Sequence, residues 1–282
     1  MLTRIKKSTA QKLLPKREAN SHKGDNGKIL IIGGSLEYYG APILAGLGAL
    51  NSGADLIYIW VPECNFDVTR SIYPDFIVKK FKGDFLTPSV VDEMIEFGKN
   101  MDTILIGPGI GKEEESVDAV VKILNELHVP TVLDAGAISA LKKITKFPLQ
   151  QPITITPHHN EFQNLIDKDI DVSEENSRSV VLLRSLSMDL HINVLLKGPL
   201  DFISSEEGFV EVNETGNAGM TVGGSGDVLA GIVASFMAQG LDGFDASRSA
   251  AYFFGATGDM LKKRKGFFYS ASELANAFPF AI

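Results

Sequence analysis

Asn213-Glu214-Thr215-Gly216-Asn217-Ala218-Gly219-Met220-Thr221-Val222-Gly223-Gly224-Ser225-Gly226-Asp227-Val228-Leu229-Ala230-Gly231 places five glycines ahead of a single carboxylate, Asp227, and an apolar helical pattern runs on from Val228 to Met237. A flexible backbone therefore meets the start of a helix, where unpaired N–H groups point outward and the helix dipole is positive. Such a start can hold a phosphate by backbone alone. A plain turn needs only about one or two glycines, so this density points to a backbone in close contact with an anion. Asp227 stands at the same place. A carboxylate there is suited to take a proton from a hydroxyl while the donors hold a transferring phosphoryl group. The other reading is a glycine-rich turn in which Asp227 is only a first-turn helix acid.

Outward from this stretch, strands and helices alternate. Lys28–Ile32 reads as a buried strand ending in Gly33-Gly34-Ser35. Ile43–Ser52 reads as a helix of mostly small residues, thin enough to approach a sheet or a ligand closely, and Ala54–Val61 as the next strand. A less regular region follows, then a strand at Phe76–Phe81 and a helix at Pro88–Asn100. Asp102–Ile106 is a strand ending in Gly107-Pro108-Gly109-Ile110-Gly111, with a helix at Glu113–Leu127 after it. Thr131–Leu133 is a strand ending at Asp134, and Ile138–Lys143 a short helix. Pro152–Thr156 is a strand that runs into Pro157-His158-His159-Asn160-Glu161. Helices are expected at Phe162–Ile166 and from Ser173 to Leu190, and a strand at Asn193–Lys197. Asp201–Ser204 and Phe209–Asn213 read as an antiparallel pair, and helices at Val228–Gln239, Asp245–Lys263 and from Ser270 complete the chain. This alternation predicts an α/β fold, a mostly parallel sheet with helices on both faces. No linker or repeat cuts the chain, so residues 1–282 read as a single domain. Chemistry is expected at the carboxyl ends of the strands.

Composition bounds the function. A length of 282 residues suits one large α/β domain. Hydrophobic residues at 44% and charged residues at 22% fit a soluble globule. The net charge of -8 argues against nucleic acid or an anionic membrane as partner. The single cysteine, Cys64, excludes an internal disulfide and a multi-cysteine zinc site, and a reducing cytoplasm is its natural setting. The first residues lack a signal-peptide pattern, and the longest apolar run, Val228–Ala238, is too short to span a bilayer.

The strand-end motifs differ in what they allow. Gly33-Gly34-Ser35 lacks the G-x-G-x-x-G spacing of a dinucleotide fold, and no P-loop sequence occurs. Gly107–Gly111 is either a tight turn or a backbone brought close to a ligand. His158 lies just past a strand end and reads either as a structural or surface histidine or as a ligand contact, while His159 points elsewhere. Glu161 reads either as an acid at a helix start or as a metal-shell ligand. Lys197, at the end of a buried-looking strand, either needs an anion or simply ends the strand at the surface. Asp259 repeats the Gly-Asp pair in mid-helix and reads as structural.

Gly223-Gly224-Ser225-Gly226-Asp227 before an apolar helix resembles the G-x-G-D anion-hole signature of the ribokinase-like superfamily. Together with Lys23-Gly24, Tyr39-Gly40-Ala41-Pro42, Val61-Pro62-Glu63, Gly107–Gly111, Thr156-Pro157-His158, Leu196-Lys197-Gly198 and Thr215-Gly216-Asn217, it resembles the ADP/ATP-dependent NAD(P)H-hydrate dehydratase family, from about residue 14 to about residue 262. The resemblance implies a ribokinase-like three-layer α/β/α fold. It implies repair of the S-form of hydrated NADH or NADPH: a nucleotide, ADP going to AMP or else ATP, phosphorylates the ring hydroxyl, and phosphate then leaves. Mg2+ is implied with the nucleotide. Carried across residue by residue, Ala41, Gly109, Gly111, His158 and Asp227 line the hydrated dinucleotide. Lys197, Gly198, Pro199, Leu200, Asp201, Gly224, Ser225 and Gly226 hold the adenine nucleotide, and Asp227 is the catalytic base. Glu161 is the one candidate metal ligand. The family's tendency implies a homo-oligomer, with a tetramer as one form.

There are departures. The family's Asp-Ala-Asp is Asp134-Ala135-Gly136 here, and its His-Pro-Gly-Glu is His158-His159-Asn160-Glu161. Ala218 replaces a usual proline, Thr221-Val222 replaces Ala-Thr, and Ser225 replaces a usual threonine while keeping the hydroxyl. The epimerase domain fused in many relatives has no room before Lys23 and is expected to be absent. Two other functions fit the same residues: a ribokinase-like kinase of a vitamin-like alcohol, and a non-catalytic nucleotide-binding module.

Overall fold

The computed structural model describes residues 2–167 and 177–282. In chain order it contains β1 (Thr3–Arg4), α1 (Lys7–Leu13), β2 (Lys28–Ile32), α2 (Gly40–Asn51), β3 (Leu56–Pro62), α3 (Glu63–Ile72), β4 (Phe76–Phe81), α4 (Asp92–Gly98), β5 (Thr103–Ile106), α5 (Glu114–Glu126) and β6 (Thr131–Leu133). A 3-10 helix (Ala135–Lys142) leads to β7 (Ile153–Ile155), α6 (His159–Ile166), α7 (Ser177–Leu190), β8 (Asn193–Leu196), β9 (Asp201–Ser204), β10 (Val210–Asn213), α8 (Ser225–Ala238), α9 (Gly243–Lys265) and α10 (Ala271–Ala277). The strands form one sheet in the order β1-β10-β9-β8-β7-β6-β5-β2-β3-β4. Every neighbouring pair is parallel except those of β9, which runs antiparallel to both β8 and β10.

Two-residue alternation in the strands builds the three layers. Ile29, Ile31, Ile57, Ile59, Leu105 and Leu195 face a core shared with α2, α8 and α9. Leu30, Ile32, Trp60, Ile104, Ile106 and Leu196 face the opposite core, against α4 and α5. Both sets are buried, so the strands read as continuous apolar runs. Truncating one of these isoleucines to alanine costs about 2–5 kcal/mol. Helix α8 is buried from Val228 to Ala238. That explains an apolar run which is neither amphipathic nor a membrane span. Among the described residues no helix is long and apolar enough to cross a membrane.

The expectation that α2 closely approaches a sheet holds at Gly46, where a Cβ would lie 2.8 Å from Ile59 Cδ1, and the fit of α2 to α8 adds a second partner. The small residues of α2 do not make room for a ligand, since Ala41 alone of them lines the cavity described below. They let two backbones meet. A Cβ on Gly48 would lie 2.2 Å from the Val228 carbonyl oxygen, and one on Gly231 would lie 2.0 Å from that of Ala45. Glycine is required at both positions by close approach.

Other differences are local. The helix expected over Pro88–Asn100 is split into a 3-10 turn at Pro88–Val90 and α4. The short helix expected at Ile138 begins three residues earlier, at Ala135, in 3-10 form. Helix α3 was not expected, because its buried residues are polar, Asn65 and Thr69, and leave no apolar stripe to read. Asn65 earns its burial by donating from Nδ2 to the Ser35 carbonyl at 2.9 Å, fixing the turn after β2. The helix start expected at Ser173 lies outside the described residues. The antiparallel pairing of β9 with β10 agrees with the expectation.

Candidate active site

Parallel strands that end level deliver their next residues to one place. Leu133 pairs in register with Ile155, which sets Asp134 beside Thr156. Lys197 continues the pairing of β8 with β7: it bridges His158 and donates its N–H to the Pro157 carbonyl at 2.8 Å. Asp134, Thr156, His158 and Lys197 therefore gather at the carboxyl edge of the sheet. The first turn of α8 faces them and brings Asp227.

A cavity of about 840 Å³ opens there. Its wall includes Ala41, Gly109, Gly111, His158 and Asp227, all the residues expected to line the hydrated dinucleotide, and also Glu161. Tyr38, Ile138, Leu165, Lys112 and Lys142 line it too, and were not expected from the sequence. They come from loops and from helix faces that carry no motif. Gly136 is also in the wall, and a Cβ there would lie 2.4 Å from the Gly111 carbonyl oxygen. The glycine-rich turn has closed over the place where an acid at 136 would stand.

The start of α8 is open. Its cap residue, Gly224, has φ 90° and provides no side chain. Ser225 turns away: its Oγ donates to the Met220 carbonyl at 2.7 Å and its N–H to that of Val222 at 3.3 Å. The N–H groups of Gly226 and Asp227 donate to no acceptor among the described residues. Lys197 Nζ lies 3.1 Å from the position a Cβ on Gly226 would take, so an ammonium and two N–H donors converge beside Asp227.

Lys197 pairs with Asp134, Nζ to Oδ1 at 2.9 Å, and Thr156 Oγ1 donates to the same oxygen at 2.7 Å. Asp134 was legible as a strand-end acid but not as this partner. The usable signal was a lone acid and a lone lysine, each ending a buried strand. Burial, reinforced by the Asp134 carboxylate, pushes Asp227 up to about 7; Lys197 pulls the other way and Glu161 adds to the rise. Lys197 is held above the ordinary lysine range: burial opposes its charge, but Asp134, Glu161 and Asp227 outweigh it. A carboxyl that titrates near neutrality is matched to general-base work.

The loop after Lys197 carries the other residues expected to hold a nucleotide. Gly198 and Pro199 are exposed and Leu200 is half-buried. Asp201 ties the loop down, accepting from the Gly198 N–H at 3.1 Å and from Asn213 Nδ2 at 3.0 Å, and burial pushes its carboxyl up to about 6. His158 caps α6. Its Nδ1 accepts from the N–H groups of Asn160 and Glu161 at 3.1 and 3.3 Å, and Glu161 Oε2 accepts the His158 N–H at 2.9 Å. A neutral His158 thus carries its proton on Nε2, 3.3 Å from Glu161 Oε1. Glu161 is the helix-start acid of one sequence reading, and it also faces the cavity. Asp259 accepts from the Gly216 N–H and Asn217 Nδ2 at 3.1 and 3.0 Å, a structural role as expected.

A sequence model of NAD(P)H-hydrate dehydratases matches residues 29–279. The chain belongs to the NAD(P)H-hydrate dehydratase family. The bifunctional NAD(P)H-hydrate repair enzyme of Methanothermobacter thermautotrophicus is similar to it, 36% identical over 269 residues that cover 94% of this chain and 51% of the relative. The chain thus spans about half the length of the bifunctional relatives it matches. The ADP-dependent (S)-NAD(P)H-hydrate dehydratase of Cenarchaeum symbiosum is 34% identical over 277 residues, covering 98% of this chain and 95% of the relative. The crystal structure of the ADP/ATP-dependent NAD(P)H-hydrate dehydratase from Bacillus subtilis, co-crystallized with ATP/Mg2+, matches with a TM-score of 0.84 at 27% identity, over 99% of this chain and 97% of that one. The fold of this dehydratase-family chain is ribokinase-like.

Proposed function

We propose that this chain dehydrates the S-form of hydrated NADH or NADPH back to the reduced dinucleotide at the expense of an adenine nucleotide, with ADP converted to AMP as the favoured reaction. The observation that carries the reading is Asp227. A carboxyl titrating at about 7 lines a cavity of about 840 Å³ and sits beside open helix N–H groups and a lysine. In the first step Asp227 takes the proton of the ring hydroxyl as its oxygen attacks the terminal phosphorus of the nucleotide. The N–H groups of Gly226 and Asp227 and the Lys197 ammonium stabilise the charge on the transferring group. In the second step phosphate leaves with the C–O electron pair, a neighbouring ring carbon gives up a proton to the departing phosphate, and the electron pair of that C–H bond restores the ring double bond. Hydroxide is a poor leaving group and phosphate a good one, which is why the nucleotide is spent.

Magnesium fits the residues present in one way. Among the described residues no group of three or more His, Cys, Asp or Glu side chains can hold a metal. Mg2+ is commonly bound through one or two carboxylates together with substrate phosphates, and Glu161 is a cavity carboxylate able to take that part. Bound so, the ion neutralises phosphate charge. The exposed free thiol of Cys64 supports a cytoplasmic setting, where thiols stay reduced.

The test is recovery of NADH absorbance from purified hydrated NADH, with ADP and ATP compared. Recovery that depends on nucleotide, with AMP formed from ADP, is the expected result. A stable phosphorylated product would instead make the chain a kinase.

A further inference from the structure

Lys197 stands among three carboxylates and pairs with the most deeply buried of them. The side chain of Asp134 is 3% exposed and that of Lys197 18%. Asp227 and Glu161 line the cavity, whereas Asp134 lies behind its wall. Thr156 Oγ1 donates to the oxygen that takes the ammonium and fixes it in place. The ammonium also lies against Gly226, across the open first turn of α8.

We propose that Asp134 is a positioning residue: it holds the Lys197 ammonium at the start of α8 and off the Asp227 carboxylate, so that the cation serves the phosphate while the base stays free to accept a proton. This rests on the dehydratase reading above. The physical reason is competition for one cation. Were Lys197 to swing onto Asp227, the pair would stabilise the ionised base, weaken its hold on a proton, and withdraw the cation from the transferring group. Asp134 works against this twice, by occupying the ammonium and by setting a like charge near Asp227. The charged groups that act on Asp227 are Asp134, Lys197 and Glu161, and the other titratable groups on the wall of the cavity it lines are Tyr38, Lys112, Lys142 and His158. Neither these wall groups nor Glu161 forms the ion pair of Lys197, which is with Asp134.

The experiment uses the full chain with Asp134→Asn and Asp134→Glu. The midpoint of Asp227 is followed by carbon-13 NMR without ligands, with Asp227→Asn to assign the signal. The acid limb of kcat/KM on hydrated NADH is measured in parallel. In Asp134→Asn both fall together by about one pH unit, and KM for ADP rises about tenfold while KM for hydrated NADH holds. Asp134→Glu keeps both midpoints near the parent's. Loss of rate with an unmoved or raised midpoint in Asp134→Asn overturns the proposal, since a merely structural role predicts that. So does a fall in Asp134→Glu equal to that in the Asn variant. Asp134→Ser, with the same expectation, stands in if the Asn variant does not fold. The NMR titration needs no substrate: a parent chain that converts no hydrated NADH defeats the dehydratase reading, and the titration still decides where the ammonium is held.

Discussion

Two helices start at the same cavity, and they finish their first turns in opposite ways. Helix α6 is closed: His158 and Glu161 satisfy each other's backbone in a reciprocal capping box. Helix α8 is open: its cap is a glycine and Ser225 faces back into the loop. Both carry the positive end of a dipole, yet at α6 the N–H groups of Asn160 and Glu161 are taken by the cap, while those of Gly226 and Asp227 donate to no acceptor among the described residues. A helix start is left open to an anion by what its cap residue withholds, whereas at α6 His158 and Glu161 close it.

The largest test of this contrast is Asp227→Asn, the acid that the open start carries. Nucleotide-dependent recovery of NADH is expected to fall about 10²–10⁴-fold, and full activity would remove Asp227 as base. In the parent, activity should rise with pH through about 7. The same variant has a stability signature. The folded carboxyl titrates at about 7 against 3.8 ordinarily, so between these values the folded state holds the extra proton and stability falls as pH rises. Asparagine removes that slope. Thermal denaturation should show the variant gaining stability above pH about 7 and gaining none below about 4.

Next is Gly226→Ala, which fills the open start from one side. Its Cβ would sit 3.1 Å from Lys197 Nζ and beside the free N–H groups. Affinity for ADP, measured by calorimetry, should drop about tenfold or more. Unchanged affinity would mean that the phosphate is held elsewhere. Gly136→Asp installs the second acid that the family resemblance led one to expect there, but its Cβ would meet the Gly111 carbonyl oxygen at 2.4 Å. We expect a loss of about 1–3 kcal/mol in stability and lower turnover; a gain in turnover would show that the wall yields. The smallest effect belongs to the closed start. His158→Ala should cost about 1 kcal/mol, a drop in Tm of about 2–4 °C, and His158→Asn should recover most of it. A larger loss would show that His158 does more in the folded chain than cap.

The two helix starts were not equally legible. Five glycines ahead of Asp227 announced the open one, because the glycine that caps α8, Gly224, offers no side chain to its first N–H groups. The closed one was half legible: His158 was picked out by its place after a strand, but a histidine ring taking a capping role leaves no mark in the sequence. Strand cores such as Ile29–Ile32 were readable since both faces are buried. Helix α3 was not, its buried face being Asn65 and Thr69. The small residues of α2 were read as meeting a sheet or a ligand, and Gly46 does meet the sheet at Ile59, but α8 as their second partner was not legible, because sequence shows thinness without showing what fills the space. The ion pair of Lys197 with Asp134 joins residues 63 apart in sequence and depends on strand order, which motifs alone do not give.

The seating of α2 on α8 has a last consequence. Ala41 begins one helix and Asp227 lies in the first turn of the other, and both face the cavity. Between them the helices touch backbone to backbone at Gly48 and Gly231. A joint made of side chains has rotamers to exchange and alternative packings to settle into. This one is fixed at those two points by the peptide chain, so the spacing of Ala41 from Asp227 is set there by backbone contact and not by rotamer choice.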